Sequence, residues 1–106
     1  MGIDQELVDE IVRRVLTVAS PERIILFGSA VTGRMTRDSD IDLLIVAAGP
    51  LDDSEESVRI RSAIGNIGHP CDVIVIDTGY FERTKHVIGG IAFPANKYGR
   101  VVYGAA

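Results

Sequence analysis

The residues best suited to chemistry lie in one stretch of the 106-residue chain, Leu26 to Val46. An apolar run ends in Gly28-Ser29, ten residues follow, and Asp40-Ile41-Asp42 opens a second apolar run. Gly28 lets backbone approach a phosphate with no Cβ in the way. Ser29 adds a hydroxyl at an expected helix N-terminus, where N–H groups point outward toward an anion. Arg34 and Arg37, in the same loop, are candidates to pair with phosphate oxygens. In an extended segment residues i and i+2 share a face, so Asp40 and Asp42 are expected to present both carboxylates on one side, roughly 7 Å apart at Cα. Carboxylates sharing a site repel unless a cation sits between them, and Mg²⁺ takes one or two carboxylates together with substrate phosphates. Asp72 opens the next β-branched run and is the third candidate ligand. If the two strands are neighbours it lies beside the pair. In two-metal phosphoryl or nucleotidyl transfer it can then bind the ion on the attack side and help take the proton.

Each feature alone is ordinary. A Gly-Ser after a strand is usually a turn, an Asp-x-Asp a solvated strand start, and a single arginine a surface residue. Their conjunction carries the reading. Asp77, before Thr78 at a strand end, is expected to cap a helix rather than bind metal. His69, His86 and Cys71 have no partners at ligand spacing and are read as structural or surface residues.

The elements that must position these groups follow from the hydrophobic pattern. Asp4 to Ala19 predicts an amphipathic helix, with Leu7, Ile11 and Val15 on its apolar stripe. Asp4 is expected to cap it, Ile3 and Val8 to staple it, and Asp9–Arg13 and Glu10–Arg14 to pair on its wet face. Ser20-Pro21 should stop it. Arg23 to Phe27 predicts a strand, Ser29 to Gly33 a short helix, Met35 to Ser39 a loop, and Ile41 to Val46 a strand covered on both faces. Ser54 to Ile67 predicts a helix with Asp53 as cap, Cys71 to Ile76 a third strand, and Asp77 onward a helix carrying Phe81 and Ile88. Pro94 to Gly99 reads as a turn, and Arg100 to Tyr103 as an edge strand. The order α-β-α-β-α-β-α-β predicts an α/β fold, a small mixed sheet with helices packed on it. The eleven residues between Gly28 and Asp40 are too few for a full parallel crossover, so the first two strands should be antiparallel. The full helix between the second and third suits a parallel pair.

Composition bounds the rest. One domain, residues 1–106, is expected. Apolar content of 46% and charged content of 25% place the chain among globular proteins. A net charge of −4 argues against gripping nucleic acid through bulk charge. The lone Cys71 suits a reducing cytoplasm. No signal peptide or apolar run long enough to span a membrane is visible.

Gly28-Ser29, ten residues and Asp40-Ile41-Asp42, with Asp72 and the tail from Ala95 to Tyr103, resemble the polymerase-beta-like nucleotidyltransferase superfamily, and in size its minimal nucleotidyltransferase (MNT) branch. The tail departs mildly, carrying Lys97-Tyr98 where the family often has Arg-Glu. The resemblance implies a nucleotidyltransferase fold with a three-stranded mixed-sheet core. It also implies that Gly28 and Ser29 hold the triphosphate, with Arg34 and Arg37 further nucleotide-binding candidates. Asp40, Asp42 and Asp72 would be the catalytic, metal-holding carboxylates, with two Mg²⁺ ions expected and ATP as substrate. The implied activity is transfer of a nucleoside monophosphate, AMP from ATP, to a hydroxyl. The implied acceptor is a tyrosine of a HEPN-domain toxin, which would make the chain an antitoxin in a homo- or hetero-oligomer. The alternatives are an antitoxin acting by contact alone and a small-molecule nucleotidyltransferase acting, for instance, on an aminoglycoside.

Overall fold

The computed structural model describes residues 4–28, 31, 39–49 and 53–104. Helix α1 (Gln5–Leu16) leads into β1 (Arg23–Phe27) and β2 (Ile41–Ala47). Helix α2 (Asp53–Ile64), β3 (Cys71–Asp77), α3 (Thr78–Thr84), α4 (Ala92–Tyr98) and β4 (Arg100–Gly104) follow. The sheet order is β3-β2-β1-β4. As the connection lengths predict, β1 and β2 are antiparallel and β2 and β3 parallel. The tail pairs antiparallel with β1, as the expected edge strand, with its register shifting between Ile24 and Ile25. The helix expected over 29–33, the 35–39 loop apart from Ser39, and the Ile3 staple lie outside the described residues. Of that helix only Val31 is described, its N–H donating to the Gly28 carbonyl at 3.1 Å.

The strands separate two apolar layers. On one face Leu43 and Ile45 of β2 and Val73 and Val75 of β3 pack with Val8, Ile11 and Val15 of α1 and Ile60 and Ile64 of α2. On the other, Leu44, Val46 and Ile76 pack with Phe81 of α3 and Ala92 and Ala95 of α4. Each such aliphatic side chain contributes about 1.5–3 kcal/mol on full burial. The run Leu43–Val46, buried throughout, is therefore the doubly covered strand its apolar continuity predicts.

Several boundaries differ from expectation, each for a local reason. Helix α1 is capped by Asp4, which accepts from the Glu6 N–H at 3.0 Å, but it ends at Leu16, before Ser20-Pro21. Its buried stripe runs through Val8 rather than Leu7. Glu10 gathers both Arg13 and Arg14, the latter at 2.6 Å, while Asp9 accepts from Gln5 at 2.9 Å. The expected Asp9–Arg13 pair therefore gives way to Glu10–Arg13. Helix α2 takes Asp53 as its first residue and stops at Ile64, not Ile67, because Gly65 turns left-handed at φ 63°. Arg14 donates to the freed Ile64 carbonyl.

Helix α3 is shorter than expected, ending at Thr84. Ile88 is consequently outside it and 82% exposed, and His86 lies beyond the helix as well. Pro94 falls in the first turn of α4, where a missing N–H costs nothing, so this segment is a helix rather than a turn.

Gly99 ends α4 and presses it onto β1. A Cβ there would lie 2.3 Å from the Ala95 carbonyl oxygen and 2.6 Å from Ile25 Cγ2. Its φ of −77° is one any residue adopts, so only space demands glycine. Gly99→Ala should lower unfolding free energy by about 1–3 kcal/mol in urea titration; an unchanged midpoint would show that α4 moves off β1 without cost.

Candidate active site

The three carboxylates sit at one end of the sheet, where β2 and β3 begin. The parallel ladder sets Ile41 beside Cys71 and Asp42 beside Asp72. Asp72 is thus brought next to the pair, as expected for neighbouring strands. Alternation places Asp42 and Asp72 on the face that carries Leu44 and Ile76. From the other side, the antiparallel ladder sets Phe27 beside Asp42, so the residue after β1, Gly28, arrives at the same carboxylate.

That approach is close. A Cβ on Gly28 would lie 2.2 Å from Asp42 Oδ2, and the backbone there is left-handed at φ 75°. Glycine is required twice over, by conformation and by the carboxylate filling the space. The expected function of this glycine, giving a phosphate access, is joined by a second one within the protein.

Asp40 departs from expectation. The strand begins at Ile41, so Asp40 stands just ahead of it, exposed, and strand alternation does not govern its direction. Its charge nonetheless reaches its neighbours. Asp42 is partly buried and its pKa is raised, first by desolvation and then by the charges of Asp72 and Asp40. The Cys71 thiol is pushed up to about 11 by burial and by Asp40. It stays protonated at neutral pH and offers no nucleophile, in keeping with its structural reading. Asp77 does cap α3, accepting from the Tyr80 N–H at 2.9 Å. Ser29, Arg34 and Arg37 lie outside the described residues.

The donor set suits a hard cation. It consists of carboxylate oxygens of one charge, and ionising Asp42 is opposed by burial and by two like charges, which a divalent ion between them would relieve. Among the described residues, no three His, Cys, Asp or Glu side chains already converge on a metal-holding point. Asp40 and Asp72 are both exposed, and exposed side chains change rotamer within nanoseconds.

Two contacts at this end of the sheet were not legible in the sequence. The Gly28–Asp42 contact depends on tertiary pairing. So does His69, whose Nδ1 lies 3.4 Å from the Ser39 carbonyl oxygen thirty residues away.

Comparison with known proteins places this geometry. Residues 6–93 match the family model of the nucleotidyltransferase domain. A search of curated proteins found no match. Among solved structures, a Sulfolobus solfataricus protein assigned to the nucleotidyltransferases superposes with a TM-score of 0.60 at 26% identity, covering 91% of this chain and 76% of its own. A toxin–antitoxin complex with AMP-PNP gives 0.59 at 23% identity, covering 92% and 73%. An MNT antitoxin bound to the tri-AMPylated HEPN toxin of Shewanella oneidensis gives 0.54 at 21% identity, covering 97% and 74%. The last two likenesses speak for a shared fold.

The raised pKa of Asp42 has a signed consequence for the metal-free protein. Because the folded-state value lies above the ordinary 3.8, its ionisation opposes folding, absent below that value and growing as pH rises through the folded pKa. Asp42→Asn should therefore raise the thermal midpoint at pH 7.5 in chelator, with the gain shrinking toward pH 3.5. A midpoint lowered at pH 7.5, or a gain independent of pH, would show that the carboxylate is not held in an unfavourable field.

Proposed function

The chain belongs to the nucleotidyltransferase domain family, and from that premise we propose that it transfers AMP from ATP, with Mg²⁺, to a hydroxyl of a HEPN-type partner in the cytoplasm. In this reading it acts as an antitoxin by modifying its toxin. The observation that carries the reading is the adjacency of Asp42 and Asp72 in the β2–β3 register, with Asp40 ahead of them. The toxin–antitoxin neighbours, one with AMP-PNP and one with an AMPylated toxin, support the choice of nucleotide and partner.

The roles follow from position. Asp40 and Asp42 would hold the ions that carry the triphosphate, and Gly28 and Ser29 would receive its phosphates. Asp72, exposed at the neighbouring strand, would face the acceptor. The acceptor hydroxyl oxygen bonds to the α-phosphorus, the bond to the β,γ-diphosphate breaks, and pyrophosphate leaves. The hydroxyl proton passes to the Asp72 carboxylate. Bound Mg²⁺ supplies charge neutralisation and Lewis-acid activation of the phosphates. Arg34 and Arg37 are assigned to the leaving phosphates on their charge.

The protein should transfer label from ATP carrying radioactive α-phosphate to a HEPN-type partner when Mg²⁺ is present. Asp42→Asn should cut the rate at least a hundredfold, the scale on which loss of a charge-stabilising catalytic group is felt. No transfer, or transfer that the substitution leaves intact, would overturn the reading. A double Asp40→Asn/Asp42→Asn variant that still neutralises the toxin in cells would move the antitoxin effect from catalysis to contact.

A further inference from the structure

We propose that His69 is a positioning residue that sets Asp40 against Asp72 by clasping the segments through which the chain enters β2 and β3. The inference rests on the reading that these carboxylates hold the metal. Asp40 lies outside the strand, so the regular ladder does not place it. Its two chain neighbours do. On one side the Ile41 N–H donates to the Pro70 carbonyl at 2.8 Å. On the other, the Ser39 carbonyl lies 3.4 Å from His69 Nδ1, a little longer than the usual N–H···O hydrogen bond. Consecutive residues, His69 and Pro70, thus hold both flanks of Asp40, and Asp72 follows two positions after Pro70.

The chemistry of the clasp is specific. A neutral imidazole protonated on Nδ1 donates to the Ser39 carbonyl. The ring is half-buried, so it cannot swing freely into solvent. Without it the Ser39 side of Asp40 loses this hold, and Asp40 can shift against Asp72. Metal-binding constellations lose affinity when their supporting groups allow shifts of this kind. His69 itself is not placed as a ligand, since its Nδ1 is engaged with backbone.

The test is Mn²⁺ binding to the purified full chain at pH 8, without nucleotide, read by electron paramagnetic resonance. Wild type should bind and Asp40→Asn should bind much more weakly. His69→Ala should weaken binding by about threefold to tenfold, the effect of one lost hydrogen bond, with the thermal midpoint in chelator nearly unchanged. His69→Asn, whose amide N–H can reach the same carbonyl, should restore most of the affinity. Should the alanine variant not fold, His69→Leu, which keeps bulk without a donor, takes its place. Unchanged affinity in His69→Ala, or an asparagine variant as weak as alanine, overturns the role of His69 while leaving the metal reading intact. A wild type that does not bind Mn²⁺, or an Asp40→Asn variant that binds as wild type does, overturns the metal reading and the clasp with it.

Discussion

The parallel pairing of β2 with β3 is the constraint on which the site depends. It is unbroken from Ile41–Cys71 to Ala47–Asp77, and it does two things at once. It buries the aliphatic residues of both strands in the two layers, and it sets Asp42 beside Asp72. Because the side-chain period of a strand is two residues, a slip of one would turn Asp72 away from Asp42 and send the apolar residues that follow it into the opposite layers, against side chains they do not fit. Core packing thereby enforces the register that pairs the two carboxylates. The short connection from β1 then brings Gly28 to Asp42 from the opposite side, so the central carboxylate is gripped between two strand pairings of opposite sense.

This arrangement sets stability against function. Asp42 is crowded by two like charges and partly desolvated, while Glu10 on α1, whose pKa is lowered to about 2 by Arg13 and Arg14, shows the ordinary favourable pairing of a carboxylate at the surface. The first is a crowded carboxylate whose ionisation a cation would relieve, the second belongs to a solvated helix face. Among the described residues no side-chain polar atom is buried without a partner, whereas Asp42 is held beside two like charges. Proteins commonly trade stability for activity in this way.

Much of this was legible in the sequence because the informative signals are local. The apolar runs gave the strands and connection lengths their senses. The Asp-x-Asp after Gly-Ser, with a third strand-borne Asp72, marked the chemistry. Family membership and the sheet topology agree with the fold so read, and the β2–β3 register sets Asp42 beside Asp72. What failed was governed by competition between nearby signals. At α2 the left-handed preference of Gly65 overrode the apolar spacing through Ile67. At α4 the expected turn from Pro94 to Gly99 is part of a helix, since a proline in the first turn leaves the helix intact. Asp40 was assigned the geometry of a strand it only precedes. The contact of His69 with the Ser39 carbonyl fits its structural reading, but its partner was not foreseeable, since no residue pattern encodes a backbone carbonyl.

The last strand has a practical corollary for anyone handling the protein. Because β4 runs antiparallel to β1, Gly104 lies beside Arg23, the start of β1, while the carboxylates lie beyond the other end at Phe27. Four residue steps separate those ends, about 13 Å of strand. A fluorophore or affinity handle attached after Gly104 would project from the far rim of the sheet, leaving the acidic rim clear for surface immobilisation and partner capture.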